Sequence, residues 1–466
     1  MTKETLLTAE DLKISFQEAT SMKEVVSLMP ILMQQTPIDI ADILSEVSDD
    51  LLVQIFDFFT IKQQGFIFSE FPIDRQYEYQ QSISKKKFAL VFEEMPSDDR
   101  VDLYQMLSLS EQTALLPFLP KHIREDVLYL NTYPDETAGS IMNTDFATVQ
   151  KDMTCSEAMD KVRLDAPSKT TVYYIYVVNE EQEMQGFITL KDLILANPNT
   201  LVEHVLHSQF VYGNVDDKSE EIATMISKYD LVAIPILNEL KQLVGIVTHD
   251  DAIDVIRAEQ TEDMERFMGI LSSAGEEMDY NKTTIWMHFK KRIVWLASLA
   301  AIGTVSGYII HSYEDAFEKM LILAFYMPMI ADAGGNSGSQ SATVVIRALS
   351  LGQIKLSDWL KVLWIEFRVS LLLSLCLGIL AYARVAFLSH NMDMPPEFTL
   401  GQIGFVISLA LSVQIVSSAL IGTGLPLIVR VLGGDPAVAA SPAITTLVDI
   451  TGLLIYFSLA TNILGL

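Results

Sequence analysis

The chain is short of cysteine, with two in 466 residues, Cys155 and Cys376. Two thiols supply neither a disulfide framework nor a zinc cluster, and a reducing compartment fits. Base is scarce as well: 32 Lys+Arg stand against 60 Asp+Glu, for a net charge of −28. So acidic a molecule repels phosphate backbones, which excludes nucleic acid as a partner and suits attraction of cations. The opening MTKETLLTAEDLK has no apolar core of signal-peptide length, so the region it begins is expected to stay on the side of synthesis. The seven histidines are scattered. No nucleophile, base and orienting group cluster in the sequence, which speaks against an enzyme. The stretch GGNSGSQS lacks the lysine that a phosphate-binding Walker loop places after its last glycine.

What is present divides the molecule. Residues 1–283 hold 50 Asp+Glu and 22 Lys+Arg, whereas 284–466 hold ten of each, so the entire acidic excess is N-terminal. Mean hydropathy is +0.29, and five apolar runs close the chain, at about 293–313, 316–341, 361–388, 402–432 and 437–464. Each is long enough to span a bilayer as a helix. Lys290, Lys291 and Arg292 precede the first run, and Arg347, Lys355 and Lys361 lie between the second and third. The opposite loops carry Glu314, Asp315, Glu318, Asp393 and Glu397. The positive-inside rule therefore puts the acidic region in the cytoplasm and, with five spans, Leu466 outside.

One carboxylate, Asp449, sits in the last run, and no basic residue follows Arg430. At the centre of a membrane helix an aspartate costs about 2.5–3.5 kcal/mol, so it is expected to face a cavity, a partner or an ion. Ion permeation is the sharper reading and a cross-helix hydrogen bond the plainer one. Ser441, Thr445, Asp449 and Gly452 recur at i, i+4, i+8 and i+11, giving that helix one polar or small face. Pro442 is expected to free a carbonyl near Val438. Asp435, just before Pro436, reads as a helix cap. In the second run Gly334, Gly335, Asn336, Gly338 and Gln340 form a small, polar stretch that is tolerated at membrane depth only when buried or lining water. Its glycines would let carbonyls approach an ion and its amides could hold the hydration shell that Mg²⁺ keeps; helix packing through G-x-x-x-G is the alternative.

In the soluble half, turn and capping signals recur roughly every dozen residues between 36 and 130, which predicts short stacked helices in a superhelical array or an irregular bundle. A second repeat is sharper. Gly186, Thr189 and Asp192 return as Gly245, Thr248 and Asp251, 59 residues later. This G-h-x-T-x-x-D ending resembles a tandem pair of CBS modules. The resemblance makes Thr189, Asp192, Thr248 and Asp251 candidate contacts for an adenine nucleotide such as ATP, although Thr and Asp are also ordinary helix caps.

YPDETAGSIM, the CBS pair ending GIVTHDDAIDVIRAEQTEDMERFMG, ADAGGNSGSQSATVVIRAL and DPAVAASPAITTLVDITGLLIYF occur in this order, and together they resemble the MgtE family of magnesium channels. The resemblance implies a multi-domain α-helical membrane protein working as a homodimer. An N-terminal segment (1–30) would precede a cytoplasmic superhelical domain (31–135), a CBS pair of α+β fold (136–257), a connecting plug helix (258–290) and a five-helix pore domain (291–466). It implies conduction of Mg²⁺ and closure when cytosolic Mg²⁺ is plentiful, with Asp449 as the pore aspartate. Ser441 departs from family members that carry Asn before the proline, which bears on discrimination against Mn²⁺, Co²⁺ or Ni²⁺. Asp98, Asp99, Asp250, Asp251, Asp254, Glu259, Glu262 and Asp263 are the candidate sensors, since such carboxylates repel on closing unless Mg²⁺ bridges them. The rival readings are a divalent-cation transporter coupled to Na⁺ or H⁺ and a membrane-anchored nucleotide sensor.

Overall fold

The structure, a computed structural model, describes residues 9–18, 22–271, 280, 283–389, 397–438 and 441–466. Asp393 of the expected outer loop, and residues 272–279 and 281–282 of the expected connector, lie outside them. The chain divides into two compact units, residues 1–257 and 258–466.

The first unit opens with helices α1 (Ala9–Glu18), α2 (Met22–Leu32), α3 (Pro37–Leu44), α4 (Asp49–Phe56), α5 (Ile61–Ser69), α6 (Ile73–Ser82), α7 (Lys85–Glu93), α8 (Ser97–Met106), α9 (Leu109–Leu115) and α10 (Lys121–Leu130). Several begin on a side-chain cap. Thr60 and Ser108 close capping boxes with Gln63 and Glu111, and Thr36 caps a helix that starts on Pro37. From α3 onward helices pack on the second next along the chain, α3 on α5, α5 on α7, α4 on α6, α6 on α8 and α8 on α10, which is the superhelical arrangement. Phe56, Phe68, Tyr79 and Phe92 are fully buried at its centre, with Phe56 and Tyr79 ring centroids 5.1 Å apart. Leu12 and Phe16 of α1, on the residues set apart above as an N-terminal segment, belong to the same core.

Two three-stranded sheets follow, β1 (Thr148–Val149), β2 (Tyr174–Val178) and β3 (Met184–Thr189), then β4 (Gly213–Asn214), β5 (Ala233–Leu237) and β6 (Leu243–Thr248). In each, the first strand pairs parallel to the second and the second antiparallel to the third. The register shift after Val177 recurs after Ile236, 59 residues on, so the sequence repeat is a repeat of structure. Helices α11 (Cys155–Asp165), α12 (Leu190–Leu195) and α13 (Ser219–Tyr229) complete the pair, and α14 (His249–Phe267) leaves it.

The expected connecting helix over 258–290 is corrected. Helix α14 stops at Phe267, because Gly269 takes φ +71°, a left-handed conformation that ends helices. Beyond it lie α15 (Ile285–Ser312), α16 (Glu314–Lys319), α17 (Ile322–Ser350), α18 (Trp359–Leu388), α19 (Leu400–Val431) and α20 (Ser441–Leu464). Four of these, α15, α18 (taken with its leading turn), α19 and α20, are long and apolar enough to cross a membrane. Helix α17, about 43 Å long by its 29 residues, is not among them: the polar GGNSGSQS stretch occupies its middle. The five expected runs are thus four apolar helices and one long mixed one, and the second run, expected at 316–341, splits into α16 and α17. Helix α17 is wedged between α19 and α20, over a core that includes Leu323, Tyr326, Ile407, Tyr456 and Phe457.

Candidate ion-binding sites

Helix α20 begins at Ser441, which places Pro442 in its first turn, where a missing N–H costs nothing. Val438 closes a separate turn, Pro436–Val438, so the expected freed carbonyl inside a helix does not arise. The polar face of α20 meets α17. Ser441 Oγ donates to Ser339 Oγ at 3.0 Å, and Thr445 Oγ1 lies 3.4 Å from the same oxygen. Asp449, two turns on from Ser441, is half-buried and close enough to Asp332 of α17 for the two carboxylates to repel. Asn336 Nδ2 donates to Asp332 Oδ1 at 3.1 Å. Asp332, Asn336 and Gln340, one turn apart, are all exposed on one face of α17.

The glycines of α17 lie in unbroken helix, so their carbonyls belong to its hydrogen-bond ladder, and they admit neighbours. A Cβ on Gly335 would come 3.0 Å from the Thr445 methyl, and one on Gly338 would come 3.1 Å from the Ser418 carbonyl oxygen. Asp435 does cap, its Oδ1 accepting from Ala437 N at 2.9 Å. Its Oδ2 also accepts from Arg266 Nη1 at 2.7 Å, and Arg266 holds Glu262 with its other nitrogen. Glu262, Glu259 and Asp263 therefore belong to the second unit, whereas Asp250, Asp251 and Asp254 belong to the first.

In the first unit Asp98 and Asp99 of α8 approach Asp251 of α14. Burial first, then repulsion from Asp98, Asp102 and Asp251, pushes Asp99 well above the carboxylate range; Asp98 is raised by burial and by Asp102, and Asp251 by burial, by Asp98 and by Asp250. Asp102 is raised too, by enclosure of its carboxylate and by Asp251 and Asp135, although the residue as a whole stays open to solvent. Glu70 is raised by burial and by Asp250, Asp42 and Asp254. Oxygen-only donors of this kind suit a hydrated Mg²⁺. Among the described residues no three His, Cys, Asp or Glu side chains converge tightly enough to ligate a metal directly, which leaves capture through water. Asn143 Nδ2, donating to Asp98 at 2.9 Å, ties the cluster to the first residues of the CBS pair. In the nucleotide motif, Thr189 and Asp192 form a capping box and Asp192 meets His207 Nε2 at 3.0 Å. Thr248 bonds both Asp250 and Asp251.

Three family models cover most of the chain: an MgtE intracellular N domain at residues 35–136, CBS domains at 138–199 and 202–258, and a divalent cation transporter domain, MgtE, at 327–459. The magnesium transporter MgtE of Thermus thermophilus is 36% identical over 335 residues, 72% of each chain. The chain belongs to the MgtE family of magnesium transporters. The Bacillus subtilis MgtE is 34% identical over 72% of this chain and 71% of its own. A solved structure, the soluble part of a magnesium transporter, aligns with TM-score 0.51 at 28% identity, covering 54% of this chain and 99% of that one. Mg²⁺ transport and an intracellular regulatory half thus stand as read from the sequence.

Three further residues bear on these sites. Asp332 was hidden inside a motif inspected for its glycines, and its helical phase with Asn336 and Gln340 was the available signal. Arg266 was counted as bulk charge. Glu366 of α18 accepts from Ser341 Oγ at 2.8 Å, beside a cavity of about 150 Å³ lined also by Ser337, Gln340 and Ser370; a carboxylate inside an apolar run was its signal.

Proposed function

We propose that Mg²⁺ crosses the membrane between two copies of this chain, along the face of α17 and α20 that carries Asp332, Asn336, Gln340 and Asp449. One observation supports this above the rest: Asp332, Asn336 and Gln340 share one face of α17, and the half-buried Asp449 of α20 lies close enough to Asp332 for the two carboxylates to repel. Lipid does not accept such a face; water between two copies does. A two-fold axis would bring two Asp449 carboxylates together, and a hydrated divalent ion between them offsets their repulsion while keeping most of its waters. Ser441, spent on Ser339, leaves the mouth lined by hydroxyls. These are short groups that touch the outer waters of the ion.

Regulation is proposed to follow the same electrostatics. Cytosolic Mg²⁺ would neutralise Asp98, Asp99 and Asp251, with Asp102 and Glu70 beside them, and so favour the arrangement in which these groups are close. The ion shifts the equilibrium only as far as it prefers that arrangement. Asp250 and Asp254 extend the acidic surface of the first unit and are proposed as its outer contacts, while Glu259 and Asp263 are proposed as contacts on the second unit. An adenine nucleotide at the CBS pair, over Thr189/Asp192 or Thr248/Asp251, is the proposed second regulator, resting on the domain match. The test is Mg²⁺ flux into liposomes holding the purified protein, with cytoplasmic-side Mg²⁺ varied. Flux that falls as that Mg²⁺ rises, and that vanishes in Asp449→Asn, supports the reading; undiminished flux in both arms overturns it.

A further inference from the structure

Gln414 sits in the middle of α19 with 0% of its surface exposed. Its Nε2 donates to the Val448 carbonyl oxygen at 2.9 Å, and its Oε1 receives Ser417 Oγ at 3.4 Å. The space it fills exists because two other helices carry glycine there: a Cβ on Gly334 of α17 or on Gly452 of α20 would each come within 2.5 Å of that same Nε2. An amide buried this deeply is costly unless bonded, and a leucine would pack the position without that requirement. The Val448 carbonyl is one half of the peptide plane whose other half is the nitrogen of Asp449. Thr451 Oγ1 donates to it as well, at 3.0 Å.

We propose that Gln414 is a positioning residue for ion passage: its amide pins the Val448–Asp449 peptide plane from α19, fixing the direction in which the Asp449 carboxylate leaves α20 and so the spacing that selects the ion. This rests on the reading of Asp449 as a path residue. Rotation of α20 would break the bond to Val448 and drive Gly452 away from the amide, so the contact resists the motion that would swing Asp449 off the face shared with Asp332. Gly334 and Gly452 are glycine, on this account, to let one side chain of α19 reach a carbonyl on α20 while touching α17.

The test uses the full chain in liposomes, reading Mg²⁺ and Mn²⁺ flux against concentration. Gln414→Leu keeps the volume and removes the donor. Gly452→Ala keeps the donor and displaces it. In both, the half-saturating Mg²⁺ concentration is expected to rise about five- to tenfold, the scale of one lost hydrogen bond, and the Mg²⁺-to-Mn²⁺ flux ratio to fall. Asp449→Asn, run alongside, is expected to be silent. A folded Gln414→Leu protein with wild-type half-saturation and ratio, beside a silent Asp449→Asn, overturns the positioning role and leaves the path intact. If Gln414→Leu does not fold, the same readings on Gly452→Ala decide. Wild-type flux in Asp449→Asn overturns path and positioning together. A role in packing alone would lower thermal stability and leave half-saturation and ion ratio unmoved.

Discussion

Gly422 of α19 lies directly against the backbone of α17. A Cβ built there would lie 2.0 Å from the Gly338 carbonyl oxygen and 2.7 Å from its carbonyl carbon. An unstrained carbon-to-oxygen contact is about 3.3 Å, so Gly422→Ala requires α17 and α19 to part locally by roughly 1.3 Å. Neither side has a rotamer that can yield, because both partners are backbone. Overpacking of this kind costs about 1–3 kcal/mol, with this site at the upper end, and the better helix propensity of alanine returns about 1 kcal/mol. The net loss is about 2 kcal/mol, and because α17 carries Asp332, Asn336 and Gln340, flux should fall with it. Gly424, two residues along the same helix, has nothing within 4 Å, so Gly424→Ala gains propensity without a clash. The assay is the temperature at which the size-exclusion peak of detergent-solubilised protein is half lost, together with liposome flux. Lowered temperature and flux for Gly422→Ala, with neither lowered for Gly424→Ala, is expected. Equal behaviour of the two alanines would refute the backbone-contact argument.

Asp449→Asn should abolish Mg²⁺ flux without loss of the folded peak, whereas Asp435→Asn, which keeps a capping oxygen but weakens the pair with Arg266, should retain measurable flux; the reverse order would exchange their roles. Arg266→Ala leaves Glu262 and Asp435 without their shared cation and should cost about 1–2 kcal/mol of stability, read as the half-loss temperature; Asp435→Asn, which keeps the capping oxygen, should add little in the same background. Because Asp98, Asp99, Asp102 and Asp251 have raised folded-state pKa values, the first unit holds more protons on these groups than its unfolded chain does between the ordinary carboxylate value of about 3.9 and the raised values of about 6 to about 9. Its stability is therefore expected to fall as pH rises through the neutral range. Millimolar Mg²⁺ should restore it near pH 8 and do little near pH 5.5, while a monovalent salt of equal ionic strength does not substitute. Calorimetry of the full protein at two pH values checks this, and equal Mg²⁺ effects at both would sink it.

Periodicity carried the architecture: the 59-residue CBS repeat, the dozen-residue spacing of capped helices and four of the apolar runs were legible because each follows from local capping or hydrophobic burial. Asp449 stands out in the sequence for a similar reason, since a lone charge in an apolar run is a local anomaly, and its place in the ion path is a proposal. What escaped depends on pairs far apart in sequence. Gln414 reads as one amide among many until Gly334 and Gly452 are seen to be cut away around it. Gly335 and Gly338 looked available for carbonyl coordination because a glycine run does not declare whether its backbone is unwound; the unbroken α17 ladder commits those carbonyls to the helix. Pro442 misled for the opposite reason, as a proline frees a mid-helix carbonyl only when a helix precedes it, and here one begins at Ser441.

Whether a carboxylate in this protein reads as scaffold or as function turns on what faces it. Asp49 meets Arg75, Asp435 meets Arg266 at 2.7 Å, and Asp126 and Asp145 share Arg100 at 3.6 and 3.5 Å. Each of these charges is met by a guanidinium that stays protonated at any accessible pH, so no mobile cation is needed and a Mg²⁺ ion would have to displace an arginine to bind. Asp332 and Asp449 in the second unit, and Asp98, Asp99 and Asp251 in the first, instead face one another. For the enclosed carboxylates of the first unit the available remedies are protonation, separation or a counter-ion. Protonation is the remedy that disappears as pH rises, and separation is the one that a conformational switch supplies. A divalent ion removes the need for either. The residues that lack an arginine are thus the ones whose arrangement is expected to depend on Mg²⁺ concentration. Supplying the missing cation in place, as in Asp102→Arg beside Asp98 and Asp99, should make the first unit more stable without Mg²⁺ and blunt its response to the ion, and a variant that kept the full Mg²⁺ response would contradict this distinction.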